Sequence, residues 1–374
     1  MRRYEPADEE RIRSQALVRE WTRSGLLNPV QTGPLEEDLR VNLRRTNLFL
    51  RLVLFAFTLL IVAASLLLLI DNIDARGAIS AIAALVCFVL AEYLISRFRL
   101  YRFGVEEGFA AAAVVLAGIA STLHESYSRF SDLVALVVAA LCAFGVYRRF
   151  GYVYAALASF ACAALVPFQT SLSPEMQRAA AAGILVLIFA TARAKHLLHG
   201  DEFPGDEYGM IQAAAWAGLY FNLNLPLSFS RLETSWFYWS TYVLIWILPV
   251  IGLRMALRDR DRLLLDVNLA MALATIATNK SYLDLPRRPW DPILFGVFLM
   301  AAALSLRRWL SKGPDGQRSG FTPLRLVSSD RRALALMSAA SAVVQPDIPA
   351  AAAGPTKPEL GGGRSGGGGA SGSF

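Results

Sequence analysis

No stretch of this chain carries the spacing of a familiar catalytic centre. Its only cysteines, Cys87, Cys142 and Cys162, each lie inside an apolar run. Their separation suits no metal site, which leaves buried thiols that pack as small hydrophobes. The chain has no Walker loop, no GxSxG, no HExxH and no CxxC pair. That removes the familiar ATP-driven and hydrolytic classes, leans away from an enzyme, and calls for no cofactor. Lysine is confined to Lys195, Lys280, Lys312 and Lys357, so the net charge of +7 is carried by arginine. These arginines sit in short clusters between apolar runs rather than on one domain. Such a distribution is an orientation signal for a membrane protein and does not indicate a nucleic-acid partner.

Hydrophobic residues make up 55% of the chain, although both ends are polar. The first apolar run begins only after about 47 residues rich in charge, so it is expected to act as an uncleaved anchor. A helix needs roughly 20 residues to cross the hydrocarbon, with about 17–25 tolerated. By that measure the expected spans are Leu52–Ile70, Ala78–Ser96, Gly108–Leu123, Leu133–Tyr147, Tyr152–Thr170, Ala179–Ala192, Met210–Leu227, Trp236–Leu253, Leu263–Asn279 and Ile293–Leu306. The fold class is therefore an all-α polytopic bundle of about ten spans. The third, fourth and sixth segments are short and alanine-rich, which leaves re-entrant or broken helices as alternatives there. Arg51, at the edge of the first span, can snorkel to the interface.

The loops give an independent reading. Arg97, Arg99 and Arg102, then Arg148 and Arg149, then Arg193 and Lys195, then Arg254, Arg258, Arg260 and Arg262 fall in alternate connections. The intervening loops carry only Arg76, Arg129, Arg178 and Arg231, before a last one with Lys280, Arg287 and Arg288. Except for that last loop, this is the pattern of a bacterial inner-membrane protein with both termini in the cytoplasm. A periplasm-active reporter is expected to be active after Asp71 and silent after Gly200; the reverse result would refute the orientation.

Three regions follow from this layout: residues 1–47, a small helical element; 48–310, the membrane domain; and 311–374, a mostly disordered tail. In the first, Ile12, Leu17, Val18 and Trp21 give Asp8–Ser24 a helical apolar stripe. Asn28-Pro29 and Gly33-Pro34 mark a turn, and a second amphipathic helix is expected from Leu35 into the membrane. Trp21, Gly25 and Leu26 form a W-x-x-x-G-L segment ahead of an acidic helix and many spans. This resembles the N-terminus of a bacterial multi-pass membrane family known only as a domain of unknown function. That resemblance implies the architecture and no activity. The ending GGGRSGGGGASGSF resembles the glycine-rich tails of several bacterial membrane-anchored proteins, including ones with a TPM-type domain, which this chain lacks.

Polar residues inside apolar runs are the remaining candidates, since a charge at the bilayer centre costs roughly 2.5–3.5 kcal/mol on insertion scales. Glu92 lies near Arg97, and Asp266 lies four residues from Arg262, so both read as interfacial ion pairs or as site carboxylates. Asn222, Asn224 and Pro226 form either an unwound segment with amide ligands or an ordinary helix end whose amides bond to neighbours. Trp236, Phe237, Tyr238 and Trp239 read as an interfacial aromatic belt. Tyr101–Gly104 and Arg148–Gly151 echo one another on two turns, a hint of a repeated hairpin. Between the sixth and seventh spans, Arg193–Gly209 is a polar island. There His196 and His199 can share a helix face with Asp201 or Glu202 as a further metal ligand, or the stretch is a solvated loop.

Two functions are compatible with these residues. One is a channel or secondary transporter of a small solute or ion. The other is a structural or regulatory membrane protein that recruits partners through its soluble ends, with the lipid bilayer as its certain surrounding and a homo-oligomer as an open possibility.

Overall fold

The computed structural model describes residues 4, 6–23, 27–70, 76–122, 129–199, 207–228, 235–286, 288 and 290–313. Among these the chain is all α, with no strand. The sequence expectations for Gly25, Leu26, Asp201, Glu202 and the tail fall outside the described residues. α1 (Pro6–Arg23) and α2 (Pro29–Asp38) precede the apolar helices α3 (Leu48–Ile70), α4 (Arg76–Phe98), α5 (Val105–Thr122), α6 (Arg129–Phe150) and α7 (Val153–Leu165). After a 3-10 turn at Val166–Gln169 come α8 (Pro174–His199), α9 (Glu207–Leu223), α10 (Trp236–Asp259), α11 (Arg262–Tyr282) and α12 (Asp291–Ser311).

Each of the ten apolar segments is occupied by a helix. Six of them, α3, α4, α5, α6, α8 and α10, are long and apolar enough to cross a membrane. The expectation of short third, fourth and sixth segments is corrected: α5, α6 and α8 have 18, 22 and 26 residues. They outlast their apolar runs because the helix continues through charged flanks, Glu106-Glu107 at the start of α5 and Arg148-Arg149 at the end of α6. The fifth segment is instead the short one. Pro167 cannot donate to the i−4 carbonyl, so the α-helix stops after 13 residues and the chain continues as 3-10. Together the two pieces extend roughly 28 Å.

The expected second helix also begins earlier than Leu35. Asn28 caps α2, its side chain accepting from the Val30 N–H at 3.4 Å while Gln31 Oε1 accepts from the Asn28 N–H at 3.1 Å. This reciprocal capping box turns Asn28-Pro29 from a turn into a helix start, with proline at the first position, where its missing N–H costs nothing. α2 ends before the apolar helices, and residues 40–47 lie outside any helix. The Arg44 N–H donates to Arg99 O at 2.9 Å and the Tyr101 N–H donates to Arg44 O at 3.0 Å. A short bridge thus stitches the N-terminal segment to the α4–α5 turn.

Large apolar side chains face outward over long stretches. Leu48, Phe49, Leu60, Leu67 and Leu68 on α3, and Ile293, Leu294, Val297 and Met300 on α12, are all exposed. A water-soluble protein rarely exposes apolar area on this scale, and the faces are compatible with contact to lipid. The packed core lies instead between α4 and α11, where Ala91, Phe150, Ala156, Trp216, Ile245 and Leu264 are buried in one cluster.

Candidate functional site

α9 and the residue just past its end carry polar or aromatic side chains every four positions: Gln212, Trp216, Tyr220 and Asn224. Spacing of four keeps them on one helix face. Along α11 and its cap, Asp261, Asn268, Thr275 and Tyr282 recur every seven, which is also one face. The two faces meet as a ladder. The Gln212 amide donates to Asp261, Trp216 Nε1 donates to Asn268 Oδ1 at 2.8 Å, and the Tyr220 and Thr275 hydroxyls bond at 2.8 Å. Asn224 Nδ2 donates to Thr278 Oγ1 at 3.0 Å and to Tyr220 OH at 2.9 Å. The Tyr282 hydroxyl closes the end, donating to Leu223 O at 3.0 Å and accepting from the Leu225 N–H at 2.9 Å. Residue numbers rise together on both helices, so α9 and α11 run parallel, with α10 antiparallel beside them. Gly252 on α10 completes the seam: an added Cβ there would lie 1.8 Å from Asn268 Oδ1.

This arrangement accounts for Asn222, Asn224 and Pro226. α9 ends at Leu223, and the proline sits in the turn that follows. Asn222 Nδ2 donates to Arg178 O at 2.9 Å on α8, and the Arg178 guanidinium donates to Asn222 O. Asn224 faces α11 instead. The two amides therefore hold different neighbours and do not form one ligand set.

Arg178 was legible in the sequence only as a loop charge. Here it lies one turn inside α8 and is 7% exposed. With Asn222 it borders a cavity of about 580 Å³ between α7, α8 and α9, otherwise walled mostly by apolar residues such as Leu157, Phe160, Ile188 and Gly218. The guanidinium carbon stands 6.0 Å from the centre of the Phe168 ring at the same end. A second cavity of about 300 Å³ adjoins the first at Phe160, Ile188 and Ile211 and reaches Arg148, Lys195 and Tyr208 at the far end of α8.

The other sequence candidates are scattered. Glu92 is ion-paired, but the expected partner Arg97 is corrected to Arg149, which reaches across from α6 with both Nε and a terminal nitrogen. Arg97 comes five residues after Glu92 on the same helix, off the i, i+3 or i+4 neighbour positions, whereas Arg149 meets the carboxylate with the fork of its guanidinium. Asp266 stands 4.0 Å from Arg262 with both side chains about half exposed (55% and 54%), a surface pair and not a cavity group. Arg51 does not snorkel freely: its guanidinium grips Glu107 of α5 with two donors.

The polar island is partly visible. His196 Nε2 is 3.5 Å from Asp261 Oδ2, Arg193 pairs with Asp259, and the Tyr147 hydroxyl donates to Glu207 at 3.2 Å. The first two contacts tie the end of α8 to the α10–α11 turn, and the third ties the end of α6 to the start of α9. Among the described residues no group of three or more His, Cys, Asp or Glu is placed to hold a metal. The side chain of His199 lies outside them, as do Asp201 and Glu202.

At the N-terminus, the Tyr4 hydroxyl donates to Leu100 O at 3.0 Å and lies 3.4 Å from the Tyr152 hydroxyl, with its ring edge-on to Tyr101 at 4.9 Å. Burial pushes the Tyr4 phenol well above the ordinary tyrosine range and raises Tyr101 for the same reason. The Tyr4 hydroxyl keeps its proton, as its donation to the Leu100 carbonyl requires. Nearby, Glu106 accepts from the Phe103 N–H at 2.7 Å through one oxygen, while its other oxygen is buried without a partner. The echoed glycines both adopt left-handed backbone, Gly104 at φ +112° and Gly151 at φ +73°. A side chain at Gly104 would also meet Arg51 O at 2.3 Å.

No protein-family model, no curated protein and no solved structure matches the chain.

Proposed function

We propose that the chain is a ten-span integral protein of the bacterial inner membrane, both ends cytoplasmic, that receives a lipophilic ligand in the α7–α8–α9 cavity. The observation that carries the ligand reading is the cavity itself: about 580 Å³, inside the range of roughly 300–1,000 Å³ of small-molecule sites, and walled almost wholly by carbon. The polar side chains that would serve a hydrated solute are engaged elsewhere, the α9 amides and hydroxyls with α8 and α11. That favours a carrier or receptor of a lipophile over a channel for a small polar solute or ion. The span count rests on ten helices in register with ten apolar segments, and the orientation rests on the alternation of arginine between loops. Recruitment of partners keeps one support, an ordered α1–α2 unit that exposes Trp21 and Val30.

A diazirine-bearing hydrocarbon, photolysed with the purified protein in detergent, is expected to label peptides containing Phe160, Ile188 and Gly218. Gly218→Leu, which fills the cavity where an added Cβ meets only the mobile end of Leu185 at 3.3 Å, is expected to remove that labelling. Labelling confined to the outer faces of α3 and α12 would overturn the reading.

A further inference from the structure

We infer that the ligand is an anionic phospholipid of the surrounding bilayer, one acyl chain in the cavity and its phosphate at Arg178. This rests on the cavity reading above and adds the chemistry and source of the occupant.

Depth argues for a bilayer lipid. α8 has 26 residues and so extends about 39 Å, some 9 Å more than the roughly 30 Å hydrocarbon core. Arg178 stands four residues after its first residue, about 6 Å in, which is the level of the headgroup boundary. From Arg178 to Ile188, the deep end of the cavity, is ten residues of helix or about 15 Å. That is half of the hydrocarbon core, the depth of one leaflet. A chain entering at Arg178 therefore ends where the leaflet ends.

Charge argues for an anionic head. Among the described residues Arg178 is the one cationic side chain bordering this cavity, and it is held there on two sides. Its guanidinium donates to Asn222 O, and Asn222 returns a hydrogen bond to its backbone carbonyl at 2.9 Å. The planar fork carries five N–H donors, and phosphate oxygens suit its geometry. Ala181, one turn deeper on α8, and Gly218, one turn before Asn222 on α9, keep the wall smooth for a methylene chain.

The test uses delipidated full-length protein in detergent and native mass spectrometry with three probes: phosphatidylglycerol, phosphatidylcholine of the same chains, and free oleate. Wild type is expected to retain phosphatidylglycerol about tenfold better than phosphatidylcholine, because both present the phosphate but only phosphatidylcholine adds a choline cation that is repelled beside Arg178. Arg178→Gln is expected to abolish that preference, Arg178→Lys to keep most of it, and Gly218→Leu to release both phospholipids. If both phospholipids bind equally in wild type and Arg178→Gln alike but are lost in Gly218→Leu, the headgroup inference falls and the cavity reading stands. Retention of oleate in place of either phospholipid overturns the bilayer source. Equal binding in wild type and Gly218→Leu removes the cavity reading itself.

Discussion

Arg51→Met is expected to cost about 3–5 kcal/mol, the scale of breaking a buried ion pair from one side. Glu107 is the reason. Its side chain is 3% exposed, against 25% for Arg51, so the carboxylate has almost no water to fall back on once the guanidinium is gone. The pair also fixes where α3 meets α5: Gly104 approaches Arg51 O so closely that a Cβ would stand 2.3 Å away, and Gly108 packs on Thr58. The loss is read as thermal unfolding in detergent. Arg51→Met combined with Glu107→Leu is expected to recover most of it, because two apolar groups of similar volume avoid the stranded charge. A single variant as stable as wild type would mean that the pair does not hold α3.

Gly252→Ala is expected to cost roughly 2–4 kcal/mol. Overpacking a tight seam costs about 1–3 kcal/mol, and each intramembrane hydrogen bond lost adds about 0.6. The added methyl would occupy the position of Asn268 Oδ1, 1.8 Å away, and so displace the acceptor of Trp216 Nε1. Asn268 also donates to Leu264 O at 2.7 Å, so its displacement disturbs two bonds. The indole is a built-in reporter: its emission is expected to shift as its N–H partner leaves. If Gly252→Ala combined with Asn268→Ala is no more stable than Gly252→Ala alone, the clash with Asn268 is not the cause.

Much of the helical layout was legible because an apolar run bounded by arginine is a strong signal. Helix ends were not. α8 was read as Ala179–Ala192 from its alanine-rich middle, yet it runs from Pro174 to His199, because polar flanks continue a helix that is already nucleated. Pro167, inside the expected span Tyr152–Thr170, ends α7 at Leu165. The site was the least legible part. Asn222 and Asn224 stood out as amides beside a proline, but their separation onto α8 and α11 depends on the rotation of α9. Arg178 lies just before the apolar run that starts at Ala179 and so reads as a loop charge, although α8 already begins at Pro174. The four-residue stripe Gln212, Trp216, Tyr220 and Asn224 was present in the sequence and marks α9 as a helix with a polar seam.

The α9–α11 ladder also sets an order of biogenesis. In the ten-span arrangement proposed above, α9 leaves the translocation machinery while the partners of Gln212, Trp216 and Tyr220 are still unsynthesised, since Asp261, Asn268 and Thr275 follow on a helix two places later. Polar groups without partners are costly in hydrocarbon. α9 therefore has reason to stay beside the insertion site until α11 arrives, and its seam is completed only once Tyr282 closes on Leu223 and Leu225. In that arrangement a chain stopped before α11 would leave these groups open to lipid.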